Sequence, residues 1–238
     1  MEEPTAAAVA YDLHKKKNVH HILGICTDIC TTKMFLVLIV RCSIFLNHFI
    51  FYLVYDFGGG TLDVSLLYVA KGSVQVYATD GDDLLGGSDF DICVRNLISE
   101  KIAKQLDDLE TSHAHVGTCF EAAYLRESAE SIKKQLSFSN ISQFTCESNN
   151  GLRIQFDFLR REFEEGCKYI FDRGMEPVLR LLQDLGMKPE EVDEIVLVGG
   201  TTRIPLVKSQ LRSLFGSNIN DQIDPDLTVA YGAASVLQ

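Results

Sequence analysis

Residues 56–67 read DFGGGTLDVSLL, three consecutive glycines between two aspartates, with apolar strand-forming residues on either side. Gly58, Gly59 and Gly60 allow turn conformations closed to other residues and let a bulky ligand lie against the peptide N–H groups. An anion such as a phosphate suits a loop of this kind. Asp56 and Asp63 would repel a bare phosphate, so a divalent cation between them is needed to complete the reading. The stretch is therefore either a metal–nucleotide loop or a glycine-rich hairpin turn. A related string comes later. Glu194-Ile195-Val196-Leu197-Val198 is a short apolar strand that stops at Gly199-Gly200-Thr201-Thr202-Arg203-Ile204-Pro205, ahead of a helix expected over 206–215. A strand, a glycine pair and a helix start make a pocket where backbone can meet a ligand. Alone, this too reads equally well as a tight strand-to-helix turn; beside the first loop it favours a ligand.

Hydrophobic periodicity supplies the elements between these loops. A helix is expected from Pro4 through the alanines to Tyr11. Stretches 53–57, 61–69 and 73–80 read as a small antiparallel sheet, the second alternating through Leu62, Val64 and Leu66. After Gly86-Gly87 a helix starts at Ser88 with Asp91 as capping partner, and Phe90, Val94, Leu97, Ile98 and Ile102 follow at helical spacing. A second amphipathic helix is expected over about 118–136, then a hairpin of 141–146 and 152–156 turning at Asn149-Asn150-Gly151. Residues 158–185 read as helix, split in two near Gly174 and Pro177. The class is α/β.

At 238 residues and 46% hydrophobic content, the chain can build a substantial core in one large or two small domains. Its net charge of -11 argues against a nucleic-acid or anionic-membrane partner, which needs clustered Lys and Arg. The seven cysteines lack CxxC spacing and read as reduced core thiols in a reducing compartment, not as a disulfide framework or zinc site. No carboxylate or cysteine stands at ligand spacing beside the histidines. Residues 34–54, MFLVLIVRCSIFLNHFIFYLV, are long enough to cross a bilayer but carry Arg41, Ser43, Asn47 and His48. They also lie too far from Met1 for an ordinary signal peptide. A span ending at Val54 would put Glu3 and Asp56 on opposite sides of a membrane.

Taken in order, EPTAAAVAY, DFGGGTLDVS, LGGSDFD, LRESAESIKKQLS, VLVGGTTRIP and DPDLTVAYGAA resemble successive motifs of the seventy-kilodalton heat-shock, DnaK-type chaperones. LHKKKNVHHI, with GGGTLDVSLL and IDPDLTV, is also similar to the microsome-associated Stch branch. The resemblance implies an actin-like, ribonuclease H-like ATPase fold. Residues 1–22 would be the end of the first lobe with its connecting helix, and 53–238 the second lobe. Residues 23–52 stand apart as an apolar insertion, expected to be translated intron or another gene-model error, with a membrane anchor as the alternative. The implied ligands are ATP or ADP with Mg2+, and the implied activity is ATP hydrolysis coupled to protein folding. Gly58, Gly59, Gly60 and Thr61 would hold the β- and γ-phosphates. Asp56 would act through the water shell of the magnesium and help position the attacking water, with Glu3 as a second acidic group doing the same. Around base and ribose the resemblance implies Glu130, Lys133, Lys134 and Ser137 on one helix, then Gly199, Gly200, Thr201 and Arg203, and finally Asp226. Glu130, Lys133 and Lys134 fall at i, i+3 and i+4 and share a helix face.

Three departures from the family pattern matter. Lys134 stands where the family usually places an arginine that stacks on adenine, and an ammonium cannot reproduce that plane. Ser88 replaces the usual acidic residue. The family's first phosphate hairpin and catalytic lysine have no counterpart in the sequence, so enzymatic competence of the chain itself is left open and impaired turnover is expected. One alternative is a non-catalytic module that engages J-domain co-chaperones or nucleotide-exchange factors. Another is a sugar kinase of the same superfamily, against which VLVGGTTRIP and LRESAESIKKQLS both speak. The expected location is the cytoplasm, or the endoplasmic reticulum if a signal precedes the sequence.

Overall fold

The computed structural model describes residues 3–10, 50–70, 73–108, 117–147, 151–216, 219–220 and 223–235. Alternation through Leu62, Val64 and Leu66 becomes β2 (Leu62–Ala70), which pairs antiparallel with β1 (Ile50–Phe57) on one side and β3 (Ser73–Asp82) on the other. The sheet does not end there. β1 also pairs in parallel with β6 (Glu194–Val198), which pairs in parallel with β7 (Ile219–Asn220). The expected three-stranded antiparallel sheet is thus corrected to a mixed five-stranded one, in the order β3-β2-β1-β6-β7. A period-two pattern says which face a residue takes and nothing about which distant strand lies alongside.

As a central strand, β1 is buried on both faces, as expected of strands with parallel neighbours inside an α/β fold. Leu53, Tyr55 and Phe57 enter the larger core, whereas Tyr52 and Val54 pack with Ala7 and Ala8 of α1 (Glu3–Ala10) on the opposite face. Alanines let α1 lie close to the sheet, and α7 (Thr228–Ser235) packs beside it. β1 begins at Ile50, so Ile50, Phe51 and Tyr52 of the 23–52 stretch belong to the sheet. Tyr11, residues 34–49 and the Asn149-Asn150 pair lie outside the described residues.

From β3 the chain runs through α2 (Gly87–Asp108), a short 3-10 turn (Gly117–Phe120) and α3 (Ala122–Phe138) into a separate two-stranded sheet, β4 (Ile141–Glu147) and β5 (Arg153–Leu159). It returns through α4 (Arg160–Gly166) and α5 (Lys168–Leu185) to β6, and α6 (Pro205–Phe215) follows. Leu125, Ala129, Ile132 and Leu136 form the buried stripe of α3. Phe90 of α2, Phe163 of α4 and Phe171 of α5 meet with ring centroids 4.7–5.8 Å apart, so both crossings between the two sheets are welded by one aromatic cluster.

The sequence expectations need three corrections here. The helical stretch breaks at Cys167, not near Gly174 and Pro177, and Pro177 sits inside α5. Tertiary contacts override the local signal. Gly174 leaves room for Tyr55, whose hydroxyl donates to the Gly174 carbonyl at 2.9 Å, and Arg173 and Arg180 clamp the same helix to Asp82 and Asp80 of β3. Secondly, α2 starts at Gly87, and the carboxylate of Asp89, not Asp91, accepts from the Gly86 N–H at 2.7 Å. The third concerns cysteine: Cys93 is bonded to Cys167 and Cys119 to Cys146. Chain separations of 74 and 27 residues gave no sign that these side chains meet, since pairing depends on folded proximity.

Candidate functional site

The two glycine turns, 140 residues apart in sequence order, touch. Thr201 of the second turn donates its hydroxyl to the carbonyl of Gly58 in the first at 2.7 Å. The same carbonyl accepts from the Gly87 N–H at 3.0 Å, and that of Gly59 accepts from the Ser88 N–H at 2.8 Å. Close approach is demanded at this seam: a side chain on Gly86 would meet the Gly59 carbonyl and Gly60 Cα at 2.4 Å. Gly199 takes φ +83°, and a Cβ there would lie 2.4 Å from the Phe57 carbonyl and 2.9 Å from an Asp56 carboxylate oxygen. So the VGG turn seats directly against the DFG end of β1. The first turn itself behaves otherwise than its glycine run suggests. None of Gly58, Gly59 and Gly60 adopts the left-handed region, and a side chain on Gly59 or Gly60 would meet nothing within 4 Å.

A cleft of about 980 Å³ opens from this junction between α3 and the 3-10 turn Gly200–Arg203. Lys133 marks its inner end, donating to the Gly87 carbonyl at 2.9 Å and pairing with Asp91 at 2.7 Å. Further out, one wall carries Lys134, paired with Glu130 at 2.6 Å, and the other carries Arg203, held by Asp226 at 2.9 Å and by Asp224. The Lys134 hydrogen bond holds the Glu130 carboxyl below its usual range, and the hydrogen bonds that Arg203 donates to Asp224 and Asp226 push its guanidinium pKa up. Lys134 and Arg203 thus enter the cleft from different elements, each paired with a carboxylate that also lines it.

Beyond the glycines lies an acidic group. Burial pushes the Asp56 carboxyl up to about 6, and the nearby charges of Glu3 and Asp63 push in the same direction. Asp56 and Asp63 are directly opposite in the β1–β2 register, and Glu3 stands in the first turn of α1. A buried carboxyl raised further by two neighbouring acidic charges is the chemistry that a divalent cation relieves.

Of the residues singled out in the sequence, Gly59, Glu130, Lys133, Lys134, Ser137, Gly200, Thr201, Arg203 and Asp226 line this cleft. Gly58, Gly60, Thr61 and Gly199 belong to the turns at its inner end, and Glu3 and Asp56 to the acidic group beyond them; these six do not line it. Ser137 directs its hydroxyl to its own helix, donating to the Lys133 carbonyl at 3.2 Å. Asp63 already reads in the sequence as a flank of a divalent cation; sequence reasoning missed Asp91, Ile92, Arg95, Arg126, Phe138 and Ile204 as cleft residues. Signals existed for two of them: Arg126 lies one helical turn before Glu130, and Ile204 directly follows Arg203.

A mixed sheet with two glycine turns meeting beside a group of carboxylates fits the actin-like ATPase fold. The chain belongs to the Hsp70 family, whose model, described as Hsp70 protein, matches residues 1–238. "Chaperone protein DnaK" of Thermosipho africanus is 34% identical over 241 residues, covering 98% of this chain and 34% of its own length. "Heat shock cognate 70 kDa protein 3" of Dictyostelium discoideum is 35% identical over 237 residues, covering 98% of this chain and 32% of its own length. The corresponding values for "Chaperone protein dnaK3" of Synechococcus elongatus are 33% over 240 residues, 98% and 27%. The chain spans about a third of the length of the curated relatives it matches. Among the described residues, no helix is long and apolar enough to cross a membrane.

Proposed function

We propose that the cleft binds ATP or ADP with Mg2+, and that the chain contributes this half-site to ATP hydrolysis coupled to protein folding. The observation that carries this reading is the hydrogen bond from Thr201 to Gly58, which joins the two turns at one end of the cleft beside Asp56. The residues suit the ligand. Open space over Gly59 and Gly60 leaves peptide groups accessible to phosphate oxygens. Lys134 and Arg203 would flank the base from different elements, with Ile204 as apolar floor; Glu130 and Lys133 would serve the ribose side, and Asp226 would keep Arg203 in place. Asp56, Glu3 and Asp63 would hold Mg2+ through water, and the cation would neutralise charge on the phosphates. Ionised Asp56 is also the group to orient an attacking water.

Within the chain we assign 1–22 to the end of a first lobe, 53–238 to the second lobe and 23–52 to an insertion whose last residues extend β1. J-domain co-chaperones and nucleotide-exchange factors are the partners that follow from family membership. A cytoplasmic location is the component of the reading that the two disulfides pull against, because cytosolic thiols are held reduced. Calorimetric titration of the chain with ADP, with and without Mg2+, tests the central claim. Saturable binding strengthened by Mg2+ and lost in Arg203→Ala supports it; Mg2+-independent binding indifferent to that substitution would refute it, and ADP release stimulated by a sugar would point to the kinase alternative.

A further inference from the structure

The chain leaves the five-stranded sheet through α2 and comes back through α4 and α5. Between those crossings lies an outer wall made of α3, whose residues line the cleft, backed by β4 and β5, whose residues do not. Cys93 lies on α2, and Cys167 is the single non-helical residue between α4 and α5, at φ -102° and ψ 18°. Their disulfide therefore joins the outgoing crossing to the break in the returning one. It also sits on the same helix faces as the aromatic cluster. Cys93 is three residues from Phe90, and Cys167 is four residues from both Phe163 and Phe171, so covalent and apolar contacts act at one place.

The second disulfide has a different position. Cys119, just before α3, is bonded to Cys146 of β4, entirely within the outer wall. All four cysteines among the described residues are paired, and each is at most 5% exposed.

We propose that Cys93–Cys167 is a covalent lock across the hinge of the outer wall, closed by thiol–disulfide exchange as the chain folds, and that it limits how far the cleft can open. The thiolate of one cysteine attacks an external disulfide and expels one thiol. The second cysteine then displaces the other thiol from the mixed disulfide. Both cysteines are oxidised, the external disulfide is reduced to two thiols, and the two cysteine protons end on those thiols. Burial places this chemistry before the core closes, because reagents cannot reach the sulfurs in the folded lobe. Folding of this kind suits an environment that supplies disulfide exchange.

The test begins with the chain refolded in a glutathione and glutathione-disulfide buffer, then unfolded, alkylated and digested without reductant. Mass spectrometry should find a peptide pair joined at Cys93 and Cys167, and the thermal midpoint should exceed that of the reductant-refolded chain by roughly 5–15 °C. Hydrogen exchange then separates a hinge lock from general stabilisation. In Cys93→Ala/Cys167→Ala, amides around 91–98 and 163–171 should exchange roughly tenfold faster, whereas Cys119→Ala/Cys146→Ala should leave them unchanged. Should the first double variant fail to fold, the reductant-refolded wild type takes its place. Alkylation of Cys93 and Cys167 in the oxidatively refolded chain would overturn the proposal, as would equal acceleration by both double variants or none by either.

Discussion

The two glycine turns meet in space yet depend on glycine for opposite reasons. At Gly199 the fold itself requires it: φ is +83°, and a Cβ would press on the Phe57 carbonyl at 2.4 Å. At Gly59 and Gly60 the protein alone requires nothing, since their absent side chains would project into open space. Glycine there makes sense only if something else comes close. The VGG turn is thus a structural joint, and the DFGGG turn is a surface kept bare for a ligand. This difference is the strongest argument that the run of three glycines is functional.

Gly199 is where the two turns should differ most. Gly199→Val combines backbone strain with a backbone clash, and a loss of about 3–5 kcal/mol or outright failure to fold is expected in urea denaturation. Near-normal stability would remove the distinction between the turns. Gly59→Ala should leave the unfolding free energy in urea within about 0.5 kcal/mol of the parent, yet weaken Mg-ADP or Mg-ATP binding about 10- to 100-fold, the cost of losing a hydrogen bond or so to a charged phosphate. Calorimetry on the folded variant checks it, and unchanged affinity would mean that the bare loop is not the phosphate surface.

Asp56 lies where the turns join. Its carboxyl sits at about 6 in the fold, above the ordinary 3.8, so the folded state favours the protonated form. The stability this group contributes is fully present below about pH 4 and is lost as pH rises through about 6. Asp56→Asn should remove that dependence and stabilise the ligand-free chain by about 1–2 kcal/mol at pH 8, with little gain at pH 4. Denaturation curves at the two pH values decide it. Mg2+ affinity of the parent should fall as pH drops through about 6, because the cation competes with the proton. The smallest effect is expected at the cleft mouth: Lys134→Arg offers a flat cation to the base and should tighten adenine-nucleotide binding by about 0.5–1 kcal/mol, a few-fold in dissociation constant.

Much of this site was legible in the sequence, because strings such as DFGGGTLDVS and VLVGGTTRIP carry strand, turn and side-chain chemistry within a dozen residues. Lys133, Lys134 and Glu130 could be placed on one helix face from their spacing alone. Arg95 and Phe138 could not, since each enters the cleft only through the way α2 and α3 pack. The helix break at Cys167 did have a local mark, Gly166 immediately before it, but Gly174 and Pro177 looked the stronger breakers. Pro177 carried the opposite signal, which contacts from β1 and β3 overruled.

What the residues determine by themselves is local: alternation made β2, the alanines made a helix thin enough to lie on a sheet, and the glycines left peptide groups bare. Tertiary structure alone decided the long-range partners, namely β6 alongside β1, Thr201 on Gly58, Glu3 near Asp56, and Cys93 bonded to Cys167. Backbone propensity and periodicity act over one or two turns of chain. Pairings across 53 to 143 residues are selected by the burial of a shared core, which no single segment encodes.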